Sequence, residues 1–331
     1  MKLFFVTGEM TEIADRKSPI LFGIKDFLLK HHDVEEVMHP EGADAVLIQE
    51  DKDLCIKDFR YIDRLLRDPF INAHLTKIFT INTDDFSTGL LRGLYTSMPK
   101  LRCQPEYHRV VPYIEYTNPH VFASRNTVEP EYLAAWYGNT KSNKLRKVLV
   151  EALQDEEGFF VKTSESWYNH KADEQKAYVE LIESAKFSLC PAGWCPPTPR
   201  IYESMALGRC PVIIADSFAR PHGPRWDEFA LFLPEKDVAK LPAFLRAHEA
   251  EYQELGKKAK KNWEQFFAGD LLKQYFADSL LSLIRSTPVS TREMEIKRWR
   301  SFSTFWNNRW TIPQRIVNRC RLILEGKLET A

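Results

Sequence analysis

Short apolar runs alternate with stretches of helical spacing through the first 120 or so residues. KLFFVTG (2–8) and ADAVLIQE (43–50) are apolar enough to be strands buried on both faces. LTKIFTINTDD (75–85) is a third strand, ending in polar residues, and RVVPYIEYTNP (109–119) is a fourth, weakened by Pro112. Between them PILFGIKDFLLKHH (19–32) and FRYIDRLLRDPFINAH (59–74) carry helical spacing, the second interrupted at Pro69. Strands alternating with helices predict a parallel sheet covered on both faces.

A linker with Pro119 and Pro130 follows, and then the pattern restarts. YLAAWYGN (132–139), GFFVKTS (158–164), KFSLCPA (186–192) and PVIIAD (211–216) read as strands. SNKLRKVLVEALQD (142–155), with Ser142 or Asn143 as N-cap, KADEQKAYVELIESA (171–185) and PRIYESMALG (199–208) read as helices. FALFLPEKD (229–237) comes next, then helices to about residue 285. The expected organisation is two α/β halves, 1–125 and 126–285, facing across a cleft, followed by a different segment, 286–331. Ligands of open α/β sheets bind outside the carboxyl ends of the strands.

Residues 292–331 hold nine basic residues against four acidic ones, interleaved with Trp299, Phe302, Phe305, Trp306 and Trp310. Two readings follow. Such a helix can pack its aromatics back on the first half, which is the preferred reading. It can instead lie on an anionic membrane as a peripheral contact.

Composition changes this picture little. The chain's 331 residues suit two domains, and 44% apolar with 28% charged content describes a globular protein. Lys plus Arg (46) balance Asp plus Glu (46), so no global field favours nucleic acid. The opening MKLFFVTGEM is too short an apolar run for a signal peptide, and no stretch has the roughly 20 apolar residues of a membrane span. The expected location is the cytoplasm, with attachment to the inner face of the membrane open. The six cysteines form no C-x-x-C pair and read as reduced, apolar residues rather than metal ligands.

The candidate chemistry sits in YVELIESAKFSLCPAGWCPPTPRIYESMALGRCPVIIAD (178–216). A strand runs into a Gly/Pro-rich loop and then a helix N-terminus, a seat for an anion. Thr198 suits the N-cap and Pro199 the first helical position, which puts Arg200 in the first turn. Its planar guanidinium matches phosphate. Glu203, one turn on, can accept hydrogen bonds from sugar hydroxyls or pair with Arg200 at i,i+3. Gly193 lets backbone approach a ligand closely. Asp216, at a strand end, faces the sugar or caps a helix.

SAKFSLCPAG, PRIYESMALGRCPVIIAD and FALFLPEKD together resemble the signature of exostosin-type glycosyltransferases, glycosyltransferase family 47. WYGNTKSNKLRKVL resembles the block that opens the donor half there, and the likeness spans 131 to about 245. The resemblance implies a GT-B fold, an N-terminal Rossmann-like acceptor domain and a C-terminal nucleotide-sugar domain. It implies an inverting transferase that needs no metal or other cofactor, with a nucleotide-sugar donor, UDP-linked, and a glycan acceptor, in polysaccharide or lipopolysaccharide biosynthesis. Arg200 would contact the diphosphate, Glu203 the ribose, and Arg146 would lie near the phosphates. The base would come from the first domain, where Glu9 and Asp85 are the candidates, with Asp84, Glu115 and His108 nearby. The chain has Ala192 where the family often has a basic residue and Thr198-Pro199 where it often has Ser-Phe. A GDP-sugar donor, as in fucosyltransferases, stays open, and so does a non-catalytic nucleotide-sugar-binding subunit. A dinucleotide oxidoreductase fits poorly, because no G-x-G-x-x-G follows the first strand.

Overall fold

Six parallel strands form the sheet of the first unit, in the order β2-β1-β3-β4-β5-β6. The structure is a computed structural model and describes residues 1–52, 61–85, 87–114, 118–123, 129–164, 172–308, 316 and 320. Glu115 lies outside the described residues. Strand β1 (Lys2–Phe5) leads to helix α1 (Pro19–His31), the two-residue β2 (Glu35–Glu36) and β3 (Ala45–Gln49). Helices α2 (Tyr61–Arg67) and α3 (Pro69–His74) precede β4 (Ile78–Asn82), β5 (Arg92–Tyr95) and β6 (His108–Val110). Pro69 does end one helix and start another. Asp68 caps the new one, accepting a hydrogen bond from the Ile71 amide at 2.9 Å, and also accepts the Thr11 hydroxyl at 2.5 Å.

Two strands of this sheet were not expected from the sequence, β2 and β5. Strand β5 reads RGLY, with a charge and a glycine in four residues. Gly93 is there for lack of room: a Cβ at this position would lie 2.0 Å from the Thr80 carbonyl oxygen of β4. Arg92 is buried, donates to the Leu75 carbonyl at 3.1 Å and lies 5.0 Å from the centre of the Phe79 ring. The strand expected over 109–119 shortens to β6, because its Pro112 lacks the N–H that a ladder needs.

The second unit, Pro112–Leu272, holds a five-stranded parallel sheet ordered β11-β10-β9-β7-β8. It runs through α4 (Pro119–Ala123), β7 (Tyr132–Gly138), α5 (Lys144–Leu153), β8 (Phe159–Thr163), α6 (Ala172–Glu183), β9 (Ala185–Pro191), α7 (Pro199–Ala206), β10 (Cys210–Ile214) and β11 (Leu231–Phe232). Helices α8 (Leu241–Ala247) and α9 (Tyr252–Phe266) close it. Asn143 is the N-cap of α5, accepting from the Leu145 amide at 3.0 Å. Each unit is therefore the parallel α/β, Rossmann-like half expected of a GT-B chain.

Helix α10 (Asp270–Ser286) begins at the end of the second unit, and from Lys273 onward the chain belongs with the first. Helices α11 (Arg292–Trp299) and α12 (Phe302–Asn308) pack on that unit. Trp299 is 1% exposed and joins the core of Phe4, Val46, Ile48, Leu65 and Ile78, while its indole N–H donates to the Leu90 carbonyl at 2.5 Å. Arg298 donates to the Gly89 and Leu90 carbonyls and to Glu295, which is also buried, 3.9 Å from Arg92.

His108 fixes the β5–β6 corner. Its Nδ1 accepts from the Gln104 amide at 3.0 Å, so its Nε2 carries the proton and donates to the Gly89 carbonyl, also at 3.0 Å. Both nitrogens are engaged, which removes it from the candidate bases. Burial, then the neighbouring Arg298 charge, lowers its pKa from 6.5 to about 3. The fold thus favours neutral imidazole, so this stabilisation is whole above 6.5 and is lost as pH falls toward 3. Urea titrations across that window should show stability falling by up to about 1.4 kcal/mol per pH unit. A His108→Gln variant should lack that component, and equal slopes in both proteins would refute the assignment.

Candidate functional site

The carboxyl ends of β7 and β9, neighbours in the second sheet, carry the loops that follow them, 139–143 and 192–198. Arg146, on α5, clamps the two loops together. Its Nε donates to the Ala192 carbonyl at 3.0 Å, Nη1 to Asn139 at 3.0 Å and Nη2 to Pro191 at 3.4 Å. Asn143 adds a bond from its side-chain amide to the Gly193 carbonyl at 3.2 Å. Gly193 matches this crowding, since a Cβ there would meet Arg146 Nη2 at 2.8 Å. Arg146 is thus wired to loop carbonyls, the role the structure shows for it.

Helix α7 starts from that loop. Thr198 stands at the N-cap with extended backbone and Pro199 follows, but the Thr198 hydroxyl makes no capping hydrogen bond among the described residues. Arg200 and Glu203 are both buried, and the direct i,i+3 pair weighed as the alternative is not formed. The Tyr178 hydroxyl stands between them. It accepts from Arg200 Nε at 3.0 Å and donates to Glu203 Oε2 at 2.7 Å. Arg200 also donates from Nη1 to the Leu189 carbonyl at 3.3 Å and from Nη2 to the Tyr137 carbonyl. Its guanidinium carbon lies 5.2 Å from the Tyr178 ring centre and 5.7 Å from that of Trp136, while Arg146 lies 5.9 Å from the Trp136 ring. Of the five guanidinium N–H groups, three are committed, which leaves two without an acceptor among the described residues.

Burial raises the pKa of Glu203, and the Tyr178 hydroxyl and the Arg200 charge act against that rise. Burial likewise drives the Tyr178 phenol well above its ordinary value, keeping it neutral and a donor. Ser204 anchors the helix to β9 through Ser188, 2.6 Å away. The arrangement supplies a rigid cation, a buried carboxylate and a helix N-terminus within one short segment.

The model of the exostosin GT47 domain matches residues 72–248, more than half of the chain. The chain belongs to the exostosin GT47 family. A "probable glucuronosyltransferase" of Oryza sativa subsp. japonica is 40% identical over 80 residues, 24% of this chain and 19% of that protein. "Probable beta-1,4-xylosyltransferase IRX10" of Arabidopsis thaliana is 37% identical over 86 residues, 25% of this chain and 21% of that one. "Probable glucuronoxylan glucuronosyltransferase IRX7" of the same plant reaches 47% over 66 residues, 19% of this chain and 15% of that one. The exostosin GT47 chain thus spans about a fifth of the length of the curated relatives it matches. Among solved structures, TarM aligns at 15% identity with a TM-score of 0.31, over 86% of this chain and 50% of that one.

Of the other residues singled out in the exostosin GT47 chain, Asp216 is exposed at the end of β10. It exchanges hydrogen bonds with Glu235: each residue's amide donates to the other's carboxylate at 3.0 Å. That caps the turn Glu235–Lys240, the helix-capping alternative. In the first unit Glu9 is exposed in the turn after β1, and Asp85 is half-buried just past β4. Near the end of β4 the structure adds a carboxylate that the sequence did not mark. Glu50, at the end of β3, is 2% exposed and accepts from Tyr61, from Thr80 at 2.8 Å and from Asn82 at 3.0 Å. Asn82 in turn accepts the Asp84 amide at 3.1 Å, so Glu50 braces the turn that carries Asp85. Tyr178 and Glu50 were both missed. Glu50 has one sequence signal, a carboxylate directly after an apolar, buried strand, whereas Tyr178 sits on a largely polar, exposed helix and has none.

Replacing Tyr178 by Phe removes the link between Arg200 and Glu203 and leaves a buried carboxylate with one donor fewer. The expected loss of stability is about 1–3 kcal/mol near neutral pH, measured by urea denaturation. Glu203 already titrates above its ordinary range, and losing the hydroxyl raises it further. The deficit should therefore shrink at acid pH, where the carboxyl is protonated in both states. A deficit independent of pH would show that the hydroxyl does not serve the carboxylate.

Proposed function

We propose that the protein transfers a sugar from a UDP-linked donor to a hydroxyl of a glycan acceptor, inverting the anomeric centre without a metal ion, in polysaccharide or lipopolysaccharide assembly. The observation that carries this reading is the buried Arg200–Tyr178–Glu203 chain at the N-terminus of α7, beside the clamped loop 192–198. The donor diphosphate meets the Arg200 amide in the first turn of α7, where Pro199 has no N–H and Ile201 donates to Thr198, and the two uncommitted N–H groups of Arg200. The ribose hydroxyls meet the Glu203 carboxylate. The names of the relatives support sugar transfer, and glucuronoxylan in one of them supports a polysaccharide acceptor.

In the proposed reaction the acceptor oxygen attacks the anomeric carbon while a carboxylate of the first unit takes its proton. The bond from that carbon to the β-phosphate oxygen breaks, and UDP leaves with the extra negative charge. Charge-assisted hydrogen bonds from Arg200 and the helix stabilise it as it develops. Asp85 is favoured over Glu9 as the base, because Glu50 and Asn82 brace its turn whereas Glu9 stands exposed in a loop.

Thermal shift against UDP, GDP, CMP and dTDP tests the donor. UDP at about 100 times its dissociation constant should add about 2.7 kcal/mol. A response to GDP alone would move the reading to a GDP-sugar, and silence from all four would sink it. Arg200→Lys keeps the charge but loses the planar fork, so nucleotide affinity should fall about tenfold or more while the fold persists. Asp85→Asn should keep donor binding and lose about a hundredfold or more in turnover, and Glu9→Gln should change little. Tight nucleotide binding by the unmodified chain with no turnover would instead mark a non-catalytic subunit.

A further inference from the structure

Helix α12 turns three aromatic side chains outward. Phe302 is 74%, Phe305 56% and Trp306 50% exposed. They cluster, with Phe302 stacked on Trp306 at 5.9 Å between ring centres and 6.5 Å from Phe305. The helix itself is firmly held. Arg102 Nε donates to the Asn307 carbonyl at 3.1 Å, Asn308 donates to the Thr88 carbonyl at 3.2 Å, and Thr304 donates to the Arg298 carbonyl at 2.8 Å. The neighbouring turn Lys100–Arg102 adds Leu101, 64% exposed. Scattered exposed apolar residues are ordinary, whereas a cluster of this kind marks an interaction surface.

Charge identifies the occupant. Lys100 on the turn Lys100–Arg102, Lys297 on α11 and Arg300 just before α12 are exposed. From Ile296 to Leu324 the sequence has seven Lys or Arg and no Asp or Glu, while the whole chain is neutral. Along the sequence, positive charge is thus gathered in the stretch that also carries these aromatics. Aromatic rings suit the interface between headgroups and hydrocarbon, and lysine and arginine suit anionic headgroups. Single-stranded nucleic acid would answer the charge and stack its bases on rings, but it has no use for the aliphatic Leu101, and the rings of Phe302 and Trp306 are stacked on each other. We propose that this face, Phe302, Phe305, Trp306 and Leu101 within their basic surround, docks the protein on an anionic lipid surface. The proposal does not depend on the identity of the donor.

Removing residues 292–331 would also take Trp299 out of the first unit's core, so point variants of the full chain are the proper test. Co-sedimentation with phosphatidylcholine vesicles that contain phosphatidylglycerol should capture the unmodified chain, and pure phosphatidylcholine should capture about tenfold less or lower. Raising salt from about 0.1 M to about 0.5 M should weaken the capture. Phe305→Ser with Trp306→Ser should lower binding about tenfold or more while the urea midpoint stays put, since both residues are exposed. Lys297→Glu with Arg300→Glu should do the same. Brominated acyl chains should quench tryptophan emission in the unmodified chain more than in Trp306→Phe. Equal binding to both vesicle types, or full binding by the aromatic variant, overturns the proposal. So does a dimer in light scattering that the aromatic variant converts to monomer while neither protein binds vesicles, which would mean that a second copy covers the face.

Discussion

The Tyr178 hydroxyl holds the second unit's site together. A buried guanidinium and a buried carboxylate are each costly to remove from water, and neither survives ionised without partners. One turn apart on α7, they might have met directly, and such a pair would have tied the helix to nothing but itself. Inserting a phenol from α6 changes the outcome. The hydroxyl accepts from one and donates to the other, so α6 and α7 are fixed together. Carbonyls of Leu189 and Tyr137 then tie the same guanidinium to the ends of β9 and β7. Four elements are locked through one side chain. What remains of its donor capacity is aimed by that lock and not by a flexible stem, which is how a site becomes preorganised.

Glu50 does comparable work in the first unit. It gathers a phenol, a hydroxyl and an amide at the ends of β3 and β4, and burial raises its pKa against the pull of those three donors. The device differs in what it leaves over. Both Glu50 oxygens are used internally, so its effect reaches a ligand through Asn82 and the turn that bears Asp85. The Arg200 guanidinium keeps two N–H groups without an acceptor among the described residues. One buried carboxylate is a brace, and in the proposed function the other faces the donor.

The α/β plan and the block from Ala185 to Ile214 were legible, because both rest on local signals: apolar runs, a proline at a helix start and a loop rich in glycine and proline. The capping of α5 was legible to within one residue, since Asn143 carries its own cap. What escaped depends on partners far away in sequence. Strand β5 has little strand character of its own and is held by pairing with β4 and β6, with β4 so close that a Cβ at position 93 would strike Thr80. Tyr178 lies on a helix with no local mark of function, and its role appears once Arg200, 22 residues on, arrives beside it. Asp216 was legible as a strand-end carboxylate, but its hydrogen-bonding partner at 235 was not.

The C-terminal helices show how a single segment can satisfy two demands that sequence reading treats as rivals. Trp299 and Phe302 are three residues apart, and a continuous helix would bring them toward one face. The chain breaks between α11 and α12 at Arg300 and Ser301, so the two aromatics take different fates. Trp299 fills the core and spends its N–H on Leu90, and Arg298 beside it caps two carbonyls of the same loop. That anchoring gives the following helix a rigid base. Its three aromatics stand in water on that base. In the proposed reading, the burial of Trp299 is what holds those rings in place for contact.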